Sequence, residues 1–185
     1  MKAAFIIFDR MTALDFIGVY DPVTRLKSMG FLDDLTWDIC ATSARVVDDK
    51  GLVFTPTKTG GALNGYDLLI VPGGYGTRTL RDNRGFIDWL RTAADCKVKA
   101  SVCTGALLLG AAGFLEGRRA TTHRSAFQDL TKYCRTVLDD RIVDEGDVIT
   151  ARGVTSALDL GLHLVARMAG ADAQQQIRRQ MDYDR

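Results

Sequence analysis

Short runs of consecutive apolar residues alternate along this chain with longer stretches in which apolar positions recur at helical spacing. Residues 3–8 form an unbroken apolar run, the pattern of a strand buried on both faces of a parallel sheet. Residues 14–29 mix apolar and polar positions at roughly helical spacing and stop at Gly30, a usual C-terminal helix signal. Strands are predicted over 36–42, 68–71 and 98–102, and helices over 86–94 and 104–112. The helix over 104–112 is apolar on nearly every side and belongs in the interior. A short strand over 119–122 and a helix over 125–133 follow. Residues 141–143 and 148–150 flank Asp144-Glu-Gly-Asp147, a hairpin turn by its Gly and Asp content. A long helix over 154–169 is expected to be capped at Gly170, with the polar remainder through Arg185 partly helical.

Strands alternating with helices imply a parallel sheet covered on both faces. The length of 185 residues suits one domain with a sizeable core, and no repeat or composition break marks a second. Charge narrows the function classes. Lys and Arg number 24 against 23 Asp and Glu, and no basic patch suggests a nucleic-acid partner. The apolar N-terminus meets Asp9-Arg10 too soon for a signal-peptide core or a membrane span, so a cytoplasmic protein with reduced thiols is expected. Four cysteines without a CxxC pair, beside two histidines, argue against a zinc site.

Cys103 differs from the other cysteines in position. It lies where an apolar strand ends and a helix begins, at the sheet edge where open α/β folds place their sites. The unpaired N–H groups of the helix that follows favour thiolate, and such a setting lowers a thiol pKa from about 8.5 into roughly 3.5 to 7.5. Gly105 leaves room for the sharp turn, a pattern akin to the nucleophile elbow of hydrolases. Cys40, Cys96 and Cys134 read instead as small buried apolar residues. In Pro72-Gly-Gly-Tyr-Gly76, Gly73 and Gly74 permit a tight turn with N–H groups facing the site. The Gly74 and Thr104 N–H groups together would form an oxyanion hole. Asp15 reads by itself as a first-turn residue that complements a helix dipole. A role at the site would need its preceding strand to lie beside the Cys103 strand. His123 is a candidate general base, whereas His163 falls within the long helix and reads as structural.

These motifs together resemble the PfpI/ThiJ superfamily, relatives of the class I glutamine amidotransferases. The resemblance rests on Leu14-Asp-x-x-Gly18, Val71-Pro-Gly-Gly74, Ser101-Val-Cys-Thr-Gly-Ala106, Gly113 through His123, and Thr155-Ser-Ala-Leu-Asp159, and it runs from Ala3 to about Gln180. Cys-Thr-Gly with Ala-Thr-Thr-His is similar to the branch of isocyanide hydratases and AraC-type regulator sensor domains. The resemblance implies a flavodoxin-like three-layer sandwich, usually a homodimer, with a reactive cysteine at the elbow and an acid against the sulfur, the position Asp15 matches. It implies cysteine-dependent hydration of a small isocyanide, with Asp15 as the acid, its pKa raised by the neighbouring thiolate, and Thr104 positioning substrate or water. No metal or organic cofactor is implied. Ligand sensing and glyoxalase-type aldehyde chemistry are the alternatives. Thr104 stands where protease members carry His. Arg124 follows His123 where the branch often has an aromatic residue, and Arg152 falls in a stretch that is glycine- or serine-rich in relatives; if it borders the pocket, it adds bulk and positive charge there.

Overall fold

The computed structural model describes residues 1–183. The first half runs β1 (Lys2–Ile6), α1 (Ala13–Ser28), β2 (Thr36–Ala41), β3 (Val46–Val47), β4 (Val53–Phe54), β5 (Lys58–Thr59) and β6 (Leu68–Val71). It continues with α2 (Thr77–Leu80), α3 (Arg84–Arg91), β7 (Val98–Val102) and α4 (Gly105–Ala111). The last part holds β8 (Arg119–Ala120), α5 (Phe127–Leu130), β9 (Thr136–Val137), β10 (Ile142–Asp144), β11 (Val148–Ala151) and α6 (Ser156–Gln180).

Seven strands form the main sheet in the order β10-β11-β7-β6-β1-β2-β5. All neighbours are parallel except the β10–β11 hairpin. Such a sheet is hydrophobic throughout because helices cover both faces. Accordingly every residue of Leu68–Val71 is buried, as are Ala3 to Ile6 of β1. This is the parallel α/β layering that the alternation of apolar runs predicted, in the flavodoxin-like form that the resemblance implied.

The chain leaves β1 toward one edge and β6 toward the other. Right-handed crossovers therefore set α1 and α3 on opposite faces. The α1 face also carries α6, and the two helices approach closely at glycines. A Cβ on Gly18 would sit 2.6 Å from the Ala157 Cβ, and one on Gly161 would sit 2.8 Å from Pro22 Cγ. Gly18, part of the Leu14-Asp-x-x-Gly18 motif, thus serves helix packing. The opposite face buries α4 from Gly105 to Gly110, as its all-apolar sequence requires.

Several boundaries differ from expectation. Gly170 does not end the last helix but breaks it, with φ 87°, and helical backbone resumes to Gln180. The expected helix over 125–133 is a 3-10 turn over Arg124–Ala126 followed by the single turn of α5. The two-residue strands β3, β4, β5 and β9 and the single turn of α2 are too short to show periodicity. The last two residues of the polar tail, Asp184 and Arg185, lie outside the described residues.

Candidate active site

Three loops at the carboxyl edge of the sheet converge. One follows β1 and enters α1, one follows β6, and one joins β7 to α4. The strand order places β6 between β1 and β7, so the β1 strand does not lie beside the Cys103 strand. The Pro72-Gly-Gly loop bridges that gap. Gly73 is packed so tightly that a Cβ there would meet Thr104 N at 2.6 Å, Asp15 Oδ2 at 2.7 Å and Cys103 Cβ at 2.8 Å. Only glycine lets the acid and the cysteine come this close.

Cys103 has φ 54°, the left-handed region that a non-glycine residue seldom occupies. The strained turn is held at both ends. Its N–H donates to Ala151 O at 2.9 Å, and its carbonyl accepts the buried Thr122 hydroxyl at 2.8 Å. A Cβ on Gly105 would meet Val71 O at 2.4 Å, so the turn also depends on that glycine. Strain held by surrounding contacts is characteristic of functional elbows.

Asp15 is fully buried in the first turn of α1. Its Oδ2 accepts the Gly73 N–H at 2.9 Å, and the carboxyl is hydrogen-bonded with the Cys103 thiol. Oδ1 is buried without a partner of ordinary geometry, which leaves it able to carry a proton. Burial pushes Asp15 up to about 7, against the opposing pull of the Gly73 and Cys103 hydrogen bonds. Desolvation, not the neighbouring thiolate, is therefore the main cause of the shift.

The thiol behaves contrary to the helix-terminus expectation. Burial, and then the charge of Asp15, pushes Cys103 up to about 12, and the Thr104 N–H and hydroxyl offset only part of this. The short α4 cannot overcome removal of the sulfur from water. Asp15 and Cys103 are best treated as one unit that retains a single shared proton above neutral pH.

The expected oxyanion hole is also revised. Gly74 N–H donates to Thr104 Oγ at 3.0 Å, and Thr104 Oγ lies 3.1 Å from Gly74 O. The Gly74 amide is thereby committed to holding Thr104. The Thr104 N–H is turned to the Cys103 sulfur.

A cavity of about 380 Å³ opens over the cysteine, within the usual range for small-molecule sites. Cys103, Thr104, Gly74 and His123 line it, together with Leu14, Thr12 and Val154. His123 Nδ1 lies 2.8 Å from Ser125 Oγ and accepts the Ser125 N–H at 3.3 Å, so a neutral ring carries its proton on Nε2. Arg152 is not in the wall. Its guanidinium donates to the Asp139 carbonyl and carboxylate, each at 2.7 Å, and Arg124 pairs with the same carboxylate at 2.8 Å. His163 lies elsewhere, 2.7 Å from Asp144 Oδ2. Sequence reasoning missed Asp49, Lys50, Tyr75 and Arg78, which also line the cavity. Only the nearness of Tyr75 and Arg78 to the double glycine signalled them.

Among the described residues, no helix is long and apolar enough to cross a membrane. The sequence matches the DJ-1/PfpI family over residues 1–167. It is 34% identical to the isonitrile hydratase of Pseudomonas putida over 185 residues, covering 99% of this chain and 78% of that protein. It is 29% identical to the glutathione-independent glyoxalase DJR-1.2 of Caenorhabditis elegans, covering 72% of this chain and 68% of that protein. Among solved structures, a ThiJ/PfpI family protein from Pseudomonas syringae superposes with a TM-score of 0.90 at 31% identity, covering 100% of this chain and 75% of that one.

Proposed function

The chain belongs to the DJ-1/PfpI family, and we propose that it is a cysteine-dependent hydratase that converts a small isocyanide to an N-formamide. The observation that carries this reading is the buried Asp15–Cys103 unit at the floor of a cavity with Leu14 and Val154 in its walls. Similarity to an isonitrile hydratase over nearly the whole chain supports it.

The chemistry needs one nucleophile and one mobile proton. Cys103 sulfur bonds to the terminal carbon of R–NC while its proton passes to Asp15. Asp15 then delivers that proton to the same carbon, giving the thioimidate R–N=CH–S. Water adds to this carbon, the C–S bond breaks, and R–NH–CHO leaves with the thiol restored. The sum is one isocyanide plus one water giving one formamide. An acid pushed up to about 7 is well matched to both taking and giving a proton near neutral pH. Thr104, His123 and Gly74 act as positioning groups around the reacting carbon.

Aldehyde chemistry is the competing activity, since a glyoxalase is also among the relatives. Parallel incubation with cyclohexyl isocyanide and with methylglyoxal separates the two. The hydratase reading expects N-cyclohexylformamide to accumulate catalytically. Lactate formation without formamide would overturn it.

A further inference from the structure

The cavity holds more charge than the chemistry around Cys103 uses. Lys50, Arg78 and Asp49 all stand in its walls. Lys50 Nζ lies 2.8 Å from Asp49 Oδ1, and Asp49 Oδ2 accepts the Thr12 hydroxyl at 3.1 Å. Those two charges offset each other. Arg78 differs: among the described residues it enters no ion pair, and it is packed instead over the Tyr75 ring, 5.3 Å from Cζ to the centroid. It is half-buried and lines the same cavity as Cys103, whose unit with Asp15 is itself anionic once Asp15 ionises.

The backbone under Tyr75 and Arg78 is clamped. Gly76 N–H donates to Arg10 O at 3.1 Å, and a Cβ at Gly76 would meet Asp9 O at 2.2 Å. Buried Thr77 ties its hydroxyl to Gly74 O at 2.8 Å. Arg78 is therefore presented from a rigid turn joined directly to the Gly74–Thr104 contact.

The geometry points to Arg78 as the docking group for a carboxylate on the substrate, remote from the carbon that Cys103 attacks. A planar guanidinium pairs with carboxylate through two parallel hydrogen bonds, and Tyr75 stacking limits the freedom it loses on doing so. Leu14 and Val154 then cover an apolar linker between the two ends. Without this cation, the ionised Asp15–Cys103 unit would repel an anionic ligand. The inference deepens the hydratase reading, on which its isocyanide group rests, by assigning the other end of the molecule.

Site-resolved alkylation of Cys103 tests it without any turnover. Iodoacetamides bearing an N-carboxymethyl or N-carboxyethyl group are compared with their neutral carboxamide counterparts and with an N-phosphonomethyl reagent. Rates are read by mass spectrometry on the Cys103 peptide and normalised to free cysteine. Wild type is expected to favour carboxylate over carboxamide at least about tenfold, the scale of one charged hydrogen bond. Arg78→Gln is expected to bring the ratio to near one, Arg78→Lys to retain part of it, and Arg124→Gln, outside the cavity, to leave it unchanged. Equal rates in wild type, or a preference that survives Arg78→Gln, would overturn the assignment. A larger advantage for the phosphonate would overturn the choice of carboxylate. Because the reagents are not isocyanides, failed formamide formation would sink the hydratase reading while this result stood by itself.

Discussion

Asp15 and Cys103 meet across Gly73, whose N–H holds the Asp15 carboxylate at 2.9 Å and whose missing side chain makes their approach possible. An acid and a thiol with so little water between them cannot titrate separately. The pair keeps two protons up to about pH 7, where an exposed carboxyl would have lost its own near 3.8, and keeps the last one well above the range of an exposed thiol.

Stability should therefore depend on pH through Asp15. Its folded value, about 7, lies above the ordinary 3.8. Between these values the native state binds the extra proton, so stability is greatest below about 4 as far as this group decides. It is lost progressively as pH rises to 7. The loss is on the order of 2–4 kcal/mol, from a rise of about three in pKa. Asp15→Asn should remove most of that slope between pH 4 and 7 in thermal melts. An unchanged slope would remove the carboxyl as its source.

Gly73→Ala should be damaging well beyond a single added methyl. The new Cβ would overlap Thr104 N, Asp15 Oδ2 and Cys103 Cβ together, and two of those atoms belong to fixed backbone or its first side-chain carbon. Overpacking of this kind typically costs about 1–3 kcal/mol. Denaturant titration should show the loss, and the Cys103 alkylation rate should change with it.

Thr104→Val keeps the shape and removes the hydroxyl. The Gly74 N–H, buried and bonded to that oxygen at 3.0 Å, is left without its acceptor. A cost of about 1–3 kcal/mol follows. Removing a hydrogen bond that favours thiolate should also push the Cys103 pKa higher still. Thiolate absorbance measured against pH would register the shift.

Much of this was readable from the residues. Apolar runs marked β1, β6 and β7 because strands buried on both faces need no polar alternation. The strand-to-helix junction with Gly105 marked the elbow. What the sequence could not convey was mostly three-dimensional competition. Sheet order is not written in local periodicity, so the bridging place of β6 was hidden. The thiol's direction of shift depended on burial against helix polarity, and burial won. Nothing local in the sequence marks the acceptor of the Gly74 amide, which the fold supplies from Thr104 Oγ, 30 residues later. Arg152 was drawn away from the cavity by Asp139, thirteen residues earlier, while Arg78 was brought in by a four-residue turn with no periodic signature.

For Arg152 the consequence is direct. Its exposed pairing with Asp139 lies outside the cavity, so Arg152→Ala should leave turnover unchanged and shift the melting temperature by no more than about 2 °C. A marked loss of kcat/KM would place it at the site after all.

On the proposed reading, Cys103 itself attacks the isocyanide carbon. The most direct test is the rate of N-formamide formation by purified wild type and by Cys103→Ala, with folding of both checked by circular dichroism. Wild type is expected to release formamide steadily, and the folded variant to lose at least about a thousandfold in rate, as for removal of a nucleophile. Undiminished formamide formation by Cys103→Ala would contradict that role.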